Sequence, residues 1–271
     1  MNEVLDSARV LLCLMFMVYA SWSDWRKREV SNRVWVVLAP LALLLTSVQY
    51  VLFGGDLLLY VLSFAVTSGL AIILFYAGAF GGADAKAFIC LSLALPRYPT
   101  FLFSVFAVST SVVLVSPLFP ITVFSNSVLL AAFTVVYALL RNLLWKLKTG
   151  SKLFEGFEKE SFGRKMLALL TGYKVSVAKL ARYEYLYPLE DVSIVEGSRA
   201  DRKLLAMPKD ETREHIVERV SDAVQTGRIQ NDVWATPGLP MLVFVTAGLI
   251  IALVFGDLVW ILLRLAFSIA V

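Results

Sequence analysis

Two aspartates carry the chemistry available to this sequence. Asp24 lies in Ser23-Asp24-Trp25-Arg26-Lys27-Arg28-Glu29-Val30-Ser31-Asn32, and Asp84 lies in Phe80-Gly81-Gly82-Ala83-Asp84-Ala85-Lys86. Each follows a long apolar stretch, residues 4–23 and 57–79. An ionisable side chain lodged at such a junction is costly and is by default a functional-site hypothesis. Two carboxylates facing each other in a partly dry site cannot both ionise easily, so the pair shares a proton. The charged member can activate water while the neutral member protonates the carbonyl or the leaving amine. The glycines ahead of Asp84 let backbone approach a substrate strand and give the following helix a flexible start. The chemistry is that of an aspartyl hydrolase.

Each residue also has a structural reading. Asp24 can serve as a juxtamembrane acid paired with Arg26, Lys27 or Arg28, an arrangement worth little when exposed. Asp84 can cap a helix N-terminus, and Lys86 can snorkel to the interface. Asp257, beside Gly256 near the end of the last apolar run, reads as interfacial and outside the site. The single histidine, His215, falls in a polar region and reads as solvated.

The elements that must position the two aspartates are hydrophobic helices. Apolar residues make up 59% of the 271, and the mean hydropathy is +0.75, well beyond the roughly 45–50% apolar content of soluble globular chains. Several runs approach the ~20 residues that cross a bilayer as helix. Residues 148–236 hold 14 of the 21 acids, which leaves only Glu3, Asp6, Asp24, Glu29, Asp56, Asp84 and Asp257 for the rest of the chain. Cys13 and Cys90 lie inside apolar runs with no CxxC pair, so neither a disulfide framework nor a zinc site is expected. The HExxH pair of a zinc protease is absent from the sequence. No metal and no cofactor are expected. The pI near 9.0 reflects basic residues that set topology rather than nucleic-acid binding.

The first run, 4–23, is not a signal peptide, because its leading segment is not basic and no small-residue cleavage site follows. Its charges lie beyond it, at Arg26, Lys27, Arg28 and Arg33. The positive-inside rule then puts the N-terminus outside and 24–33 in the cytoplasm. A second span covers 34–53, with Pro40 as a tolerated kink. Gly54-Gly55-Asp56 turns the chain, with Asp56 capping the next helix. The third span, 57–79, returns to the cytoplasm, so Asp24 and Asp84 emerge on the same face. A span at 121–145 ends in Lys146, Lys148 and Lys152, also cytoplasmic. Residues 85–116 therefore make one crossing plus a re-entrant or interfacial piece.

The polar insert holds a short basic amphipathic helix over 161–170, one or two strands over 175–189, and a helix over 211–226 with an apolar stripe of Ile216, Val217, Val220 and Val224 and a stop at Gly227. Trp234 reads as a membrane-interface marker, and 239–263 as the last span. The expected fold is an all-α polytopic membrane protein. It has six transmembrane helices and a cytoplasmic α+β insert between the fifth and sixth, divided as 1–147, 148–236 and 237–271.

Gly81-Gly82-Ala83-Asp84-Ala85-Lys86 resembles the GxGDxK signature of the type IV prepilin peptidases, GxGD-type aspartyl proteases. The segment from Ser23 to Asn32 resembles that family's first aspartate followed by a hydrophobic-x-Asn element. Further stretches resemble the archaeal preflagellin peptidases. These are Pro117-Leu118-Phe119-Pro120-Ile121 with Val123-Phe124-Ser125-Asn126, Lys174-Val175-Ser176-Val177-Ala178-Lys179, and Val233-Trp234-Ala235-Thr236-Pro237-Gly238-Leu239-Pro240 with Gly256-Asp257. The resemblance implies catalytic Asp24 and Asp84, with Gly81, Gly82, Ala83, Lys86 and Asn32 in support. It implies cleavage of class III signal peptides from archaellin- or pilin-like preproteins at the cytoplasmic edge of the plasma membrane. Ala83 departs from the motif's second glycine, where archaeal members accept a small or hydrophobic residue. The cysteine-rich loop of the bacterial enzymes has no counterpart, which implies peptidase activity without methyl transfer. The rival reading is a non-enzymatic membrane carrier, or a pilus or archaellum assembly component, with Asp84 at a broken helix. A carrier would show internal repeats and a site at mid-membrane, whereas here both aspartates sit at span ends.

Overall fold

The computed structural model describes residues 2–99, 116–193, 201–205 and 213–269. In chain order the helices are α1 (Asn2–Lys27), α2 (Asn32–Phe53), α3 (Leu57–Tyr76), α4 (Gly82–Ala94), α5 (Phe119–Thr149), α6 (Phe162–Thr171), α7 (Val177–Arg182), α8 (Arg213–Gln225), α9 (Met241–Val254) and α10 (Leu258–Ile269). The strands are β1 (Tyr173–Ser176), β2 (Leu186–Pro188), β3 (Glu190–Ser193), β4 (Asp201–Leu204) and β5 (Asp232–Pro237). The chain forms two units, Met1–Ala131 with Pro240–Val271, and Ala132–Leu239.

The first unit is helical and built for hydrocarbon surroundings. On α3 the buried side chains are Ser63, Thr67, Ser68 and Ala71, while Leu58, Ile73 and Tyr76 face outward. Small residues inside and bulky apolar ones outside is the packing expected where lipid tails are as apolar as leucine. Helix ends follow local chemistry. Ser31 accepts the Arg33 N–H at the start of α2, and Gly54, at φ +72°, ends it. Asp56 caps α3 through the Leu59 N–H at 3.0 Å, as its position in the sequence suggests.

Among the described residues four helices, α1, α2, α3 and α5, are long and apolar enough to cross a membrane, or five spans if α9 and α10, bent by 59°, form one. Six spans are expected from the charge pattern. α4 has 13 residues, too few to cross at ~1.5 Å per residue, and of the stretch 85–116, expected to make one crossing plus a re-entrant or interfacial piece, residues 100–115 lie outside the described residues.

The apolar run expected as the last span, 239–263, is not one continuous helix but the bent pair α9 and α10. Gly256 sits at φ +84° and stops α9, and the Asp257 carboxylate caps α10 through the Val259 and Trp260 N–H groups. Asn126 on α5 satisfies both sides of the break. Its Nδ2 donates to Gly256 O at 2.9 Å, and its Oδ1 accepts the Leu258 N–H at 2.8 Å. Asp257 is buried and also accepts from Ser125 Oγ, so its role is to hold irregular backbone inside protein, where such backbone is tolerated.

The second unit contains a three-stranded antiparallel sheet ordered β1-β5-β2 and a hairpin of β3 and β4. Where strands are expected over 175–189, the short α7 separates β1 from β2. The amphipathic helix at 161–170 is α6, capped by Ser161. The stripe Ile216, Val217 and Val220 of α8 is buried, Gly227 takes φ +66° after it, and His215 is exposed.

Trp234 corrects its sequence reading as a membrane-interface marker. It lies in β5, the central strand, wholly buried; its ring stacks on Phe154 at 4.9 Å and its Nε1–H donates to Leu153 O. A tryptophan just ahead of prolines and an apolar run mimics an interfacial belt, but sheet pairing on both edges of β5 places it in a core.

Beside Trp234, Glu190 is fully buried between two cations. Its Oε1 accepts from Arg202 at 2.6 Å, its Oε2 accepts the Trp234 N–H at 2.9 Å, and Lys174 Nζ lies 3.8 Å away. Burial is the larger influence on Lys174. It pulls the ammonium from 10.5 down to about 8, against the opposing pull of Glu190.

Candidate active site

Asp24 sits in the last turn of α1, half-buried, and its Oδ2 accepts the Leu242 N–H at 3.2 Å. That N–H belongs to the first turn of α9, where helix donors are unsatisfied and a carboxylate is favoured. A polar seam holds the two helices together here. Ser21 Oγ donates to Leu242 O at 2.8 Å and lies 2.6 Å from Thr246 Oγ1, which donates to Met17 O at 3.0 Å. Among the ion pairs of the described residues, none joins Asp24 to Arg26 or Lys27, while the charge of Arg28 does act on it.

Asp84 occupies the first turn of α4. The cap position itself is Gly81; Asp84 reaches back from three residues on and accepts the Gly81 N–H at 2.9 Å. A Cβ on Gly81 would stand 3.1 Å from Asp84 Oδ2, a tight approach that the bare backbone at this position avoids. Ala83 lies inside α4, on ordinary helical backbone where alanine is the most favourable residue. The missing second glycine of the motif therefore costs the local conformation nothing.

The Gly-rich break is pinned from both sides. Gly78, at φ +74°, ends the turn after α3. Phe80 then stacks on Phe88 of α4 at 5.6 Å and tilts against Phe124 of α5 at 6.0 Å. On the exposed side, Lys86 Nζ donates to Asn32 Oδ1 at 2.7 Å. This ties the motif lysine to the first residue of α2, just after the connection that Ser23 Oγ closes on Glu29 O at 2.8 Å.

The structure thus brings the residues singled out from sequence into one neighbourhood. α4 packs on α1, α2, α3 and α9. Asp24 in the last turn of α1 and Asp84 in the first turn of α4 lie on helices that pack on each other, and Lys86 meets Asn32. The sequence reading missed Ser21, Thr246 and the α9 start that receives Asp24. Their signal is hydroxyls spaced along otherwise apolar helices, the pattern by which membrane helices hydrogen-bond to one another. Among the described residues no group of three or more His, Cys, Asp or Glu side chains is gathered as a ligand set.

Comparison with known proteins finds matches over most of the chain. Residues 11–136 match the family model described as Type IV leader peptidase family, and residues 164–258 match Archaeal Peptidase A24 C-terminus Type II. A preflagellin peptidase of Methanococcus voltae is 26% identical over 248 residues, 90% of this chain and 93% of that protein. A preflagellin peptidase of Methanococcus maripaludis is 25% identical over 249 residues, 89% and 92% of the two chains. A prepilin peptidase of Methanothermobacter thermautotrophicus is 31% identical over 138 residues, 49% of this chain and 36% of that one. The class is an enzyme of the peptidase kind carried on apolar helices. The chain is similar to the type IV leader peptidase family over its N-terminal part and to the archaeal form of the A24 C-terminal region over its later part.

Proposed function

We propose that this chain is a membrane aspartic endopeptidase that removes class III signal peptides from archaellin- or pilin-like preproteins. The observation that carries the proposal is the placement of Asp24 in the last turn of α1 and Asp84 in the first turn of α4, two helices that pack on each other. Similarity to the family and to the named preflagellin and prepilin peptidases supports the substrate class.

The reaction follows from the pair. One carboxylate, ionised, takes a proton from water as the water attacks the scissile carbonyl; the other, protonated, donates to the carbonyl oxygen and then to the leaving amine. Because the two titrate together, acid and base belong to the pair rather than to either residue. With no side chains of their own, Gly81 and Gly82 let backbone approach a substrate strand, Ala83 continues the helix, and Lys86 with Asn32 braces the motif. The substrate's apolar segment stays in the bilayer, so its scissile bond lies at the membrane edge. The excess of Lys and Arg after the first span supports a cytoplasmic edge of the plasma membrane, with the N-terminus outside. The insert between the fifth and last spans contributes the β1-β5-β2 sheet unit.

The test is reconstitution of the purified chain in liposomes with a preprotein carrying a basic leader, a small residue at the cleavage point and a hydrophobic segment. The expected result is release of the leader by a single cut ahead of the hydrophobic segment, undiminished by chelator. An intact preprotein, or cleavage that chelator abolishes, overturns the proposal.

A further inference from the structure

At the opposite ends of α1 and α4 from the two aspartates, four polar side chains are buried among apolar helices. Asp6 and Arg9 on α1 and Thr46 and Gln49 on α2 are each 6% exposed or less. Arg9 pairs with Asp6, which also accepts from Gln49 Nε2 at 3.0 Å. The same guanidinium donates to Ala94 O at 3.0 Å and to Thr46 Oγ1 at 3.4 Å, while Thr46 Oγ1 donates to Leu93 O at 2.9 Å.

The carbonyls they reach are those of the last turn of α4. A helix leaves its final carbonyls without internal partners, and Pro96, just beyond, brings no N–H of its own. In hydrocarbon each such group is costly to leave unpaired. A cation at a helix C-terminus is also favoured by the helix dipole. Arg9 and Thr46 therefore cap α4.

We propose that Arg9, with Asp6, Thr46 and Gln49, is a positioning residue set that locks the axial register of α4 against α1 and α2, and thereby sets the separation of Asp24 and Asp84. Apolar side chains sliding past one another in lipid give little resistance, since nothing distinguishes one leucine contact from the next. Hydrogen bonds to particular carbonyls do resist. α1 and α4 meet end to opposite end: Arg9 near the start of α1 touches Ala94 at the end of α4, while Asp24 lies in the last turn of α1 and Asp84 in the first turn of α4. A slip of one residue moves Asp84 by ~1.5 Å, and a misplacement of about 1 Å in a catalytic group costs on the order of 100-fold in rate.

The proposal rests on the Asp24–Asp84 reading, and its test separates the two. The double variant Asp6→Leu/Arg9→Met removes both charges together, so no unpaired charge is left buried, and such replacements are often neutral for stability. It should fold and insert with unchanged yield. Its kcat on a class III preprotein should fall about 100-fold with KM changed less than about threefold, and Arg9→Lys, which keeps a donor, should recover activity to within about tenfold. Spin labels at positions 25 and 89, with Cys13 and Cys90 replaced by alanine, should give a shifted or broadened distance distribution in the double variant and the parent distribution in Arg9→Lys. A double variant with parent kcat, or one with an unchanged distance distribution, overturns the register lock. A parent protein that cleaves nothing overturns the aspartate reading instead, and the label distances then decide the register lock alone.

Discussion

Replacing Glu190 by glutamine keeps the shape of the buried cluster and removes the carboxylate that lies between its two cations. Two cations then face each other with side chains 4% and 8% exposed. The introduced amide oxygen can still accept from Arg202 or from the Trp234 N–H, so packing and hydrogen bonding change little, and the loss is electrostatic. Removing one partner of a buried ion pair costs about 3–5 kcal/mol, a large share of the roughly 5–15 kcal/mol that holds a domain folded. The cost has an upper bound, because Lys174, already brought to about 8 by burial, can shed its proton. The penalty of Glu190→Gln should accordingly be full at about pH 6 and shrink by about pH 9. The assay is hydrogen exchange at the Trp234 amide, whose N–H donates to Glu190, in the full chain in detergent. A loss of about 3 kcal/mol is a fall in protection of at least about 100-fold at the lower pH. The triple change Lys174→Met/Glu190→Leu/Arg202→Met should restore most of it. A change of less than about fivefold at the lower pH, or a penalty independent of pH, refutes the reasoning.

Other outcomes follow from the same contacts. The unfolded lysine holds its proton to 10.5 whereas folded Lys174 releases it near 8, so the unfolded state binds more protons in that window and stability should rise as pH climbs from about 8 toward about 10. Lys174→Met should flatten that rise in thermal unfolding curves. Gly248 on α9 has Ser127 Oγ and Val123 O, the latter at 3.0 Å, crowding the place where a Cβ would stand. Gly248→Val should therefore lower the unfolding temperature, with a cost of about 1–3 kcal/mol for overpacking, while Gly69→Ala, which meets nothing within 4 Å, should not. Lys86→Ala and Asn32→Ala each break the same 2.7 Å hydrogen bond, so their effects on cleavage should be non-additive in the double variant; strict additivity contradicts a shared role.

What the sequence reveals of this protein depends on whether a residue's role is local. Asp56 is legible because a cap needs only the three residues that follow it. The Gly81-to-Lys86 break is legible because two apolar runs frame it, and Lys86 meeting Asn32 agrees with reading both as one element. Asp84 as a reach-back acceptor rather than the cap residue is a matter of two backbone angles, below what pattern reading resolves. Trp234 fails for a tertiary reason: its burial comes from β1 and β2 pairing on either side of β5, and nothing in its immediate neighbours signals that. Asp257 and Asn126 fail similarly, since the whole second unit lies between them along the chain and neither side of the break predicts its partner. Asp6 and Arg9 look like ordinary terminal charges because the carbonyls they serve belong to a helix that starts at residue 82.

The central claim is that Asp24 and Asp84 act as one catalytic pair. Its most direct measurement is leader cleavage in membranes by Asp24→Asn and by Asp84→Asn, each matched to parent for inserted, folded protein. Asparagine keeps an acceptor oxygen for the Leu242 and Gly81 N–H groups, so the fold is preserved while the shared proton is lost. The expected result is no detectable cleavage by either variant. Cleavage at near-parent rate by either one contradicts the account.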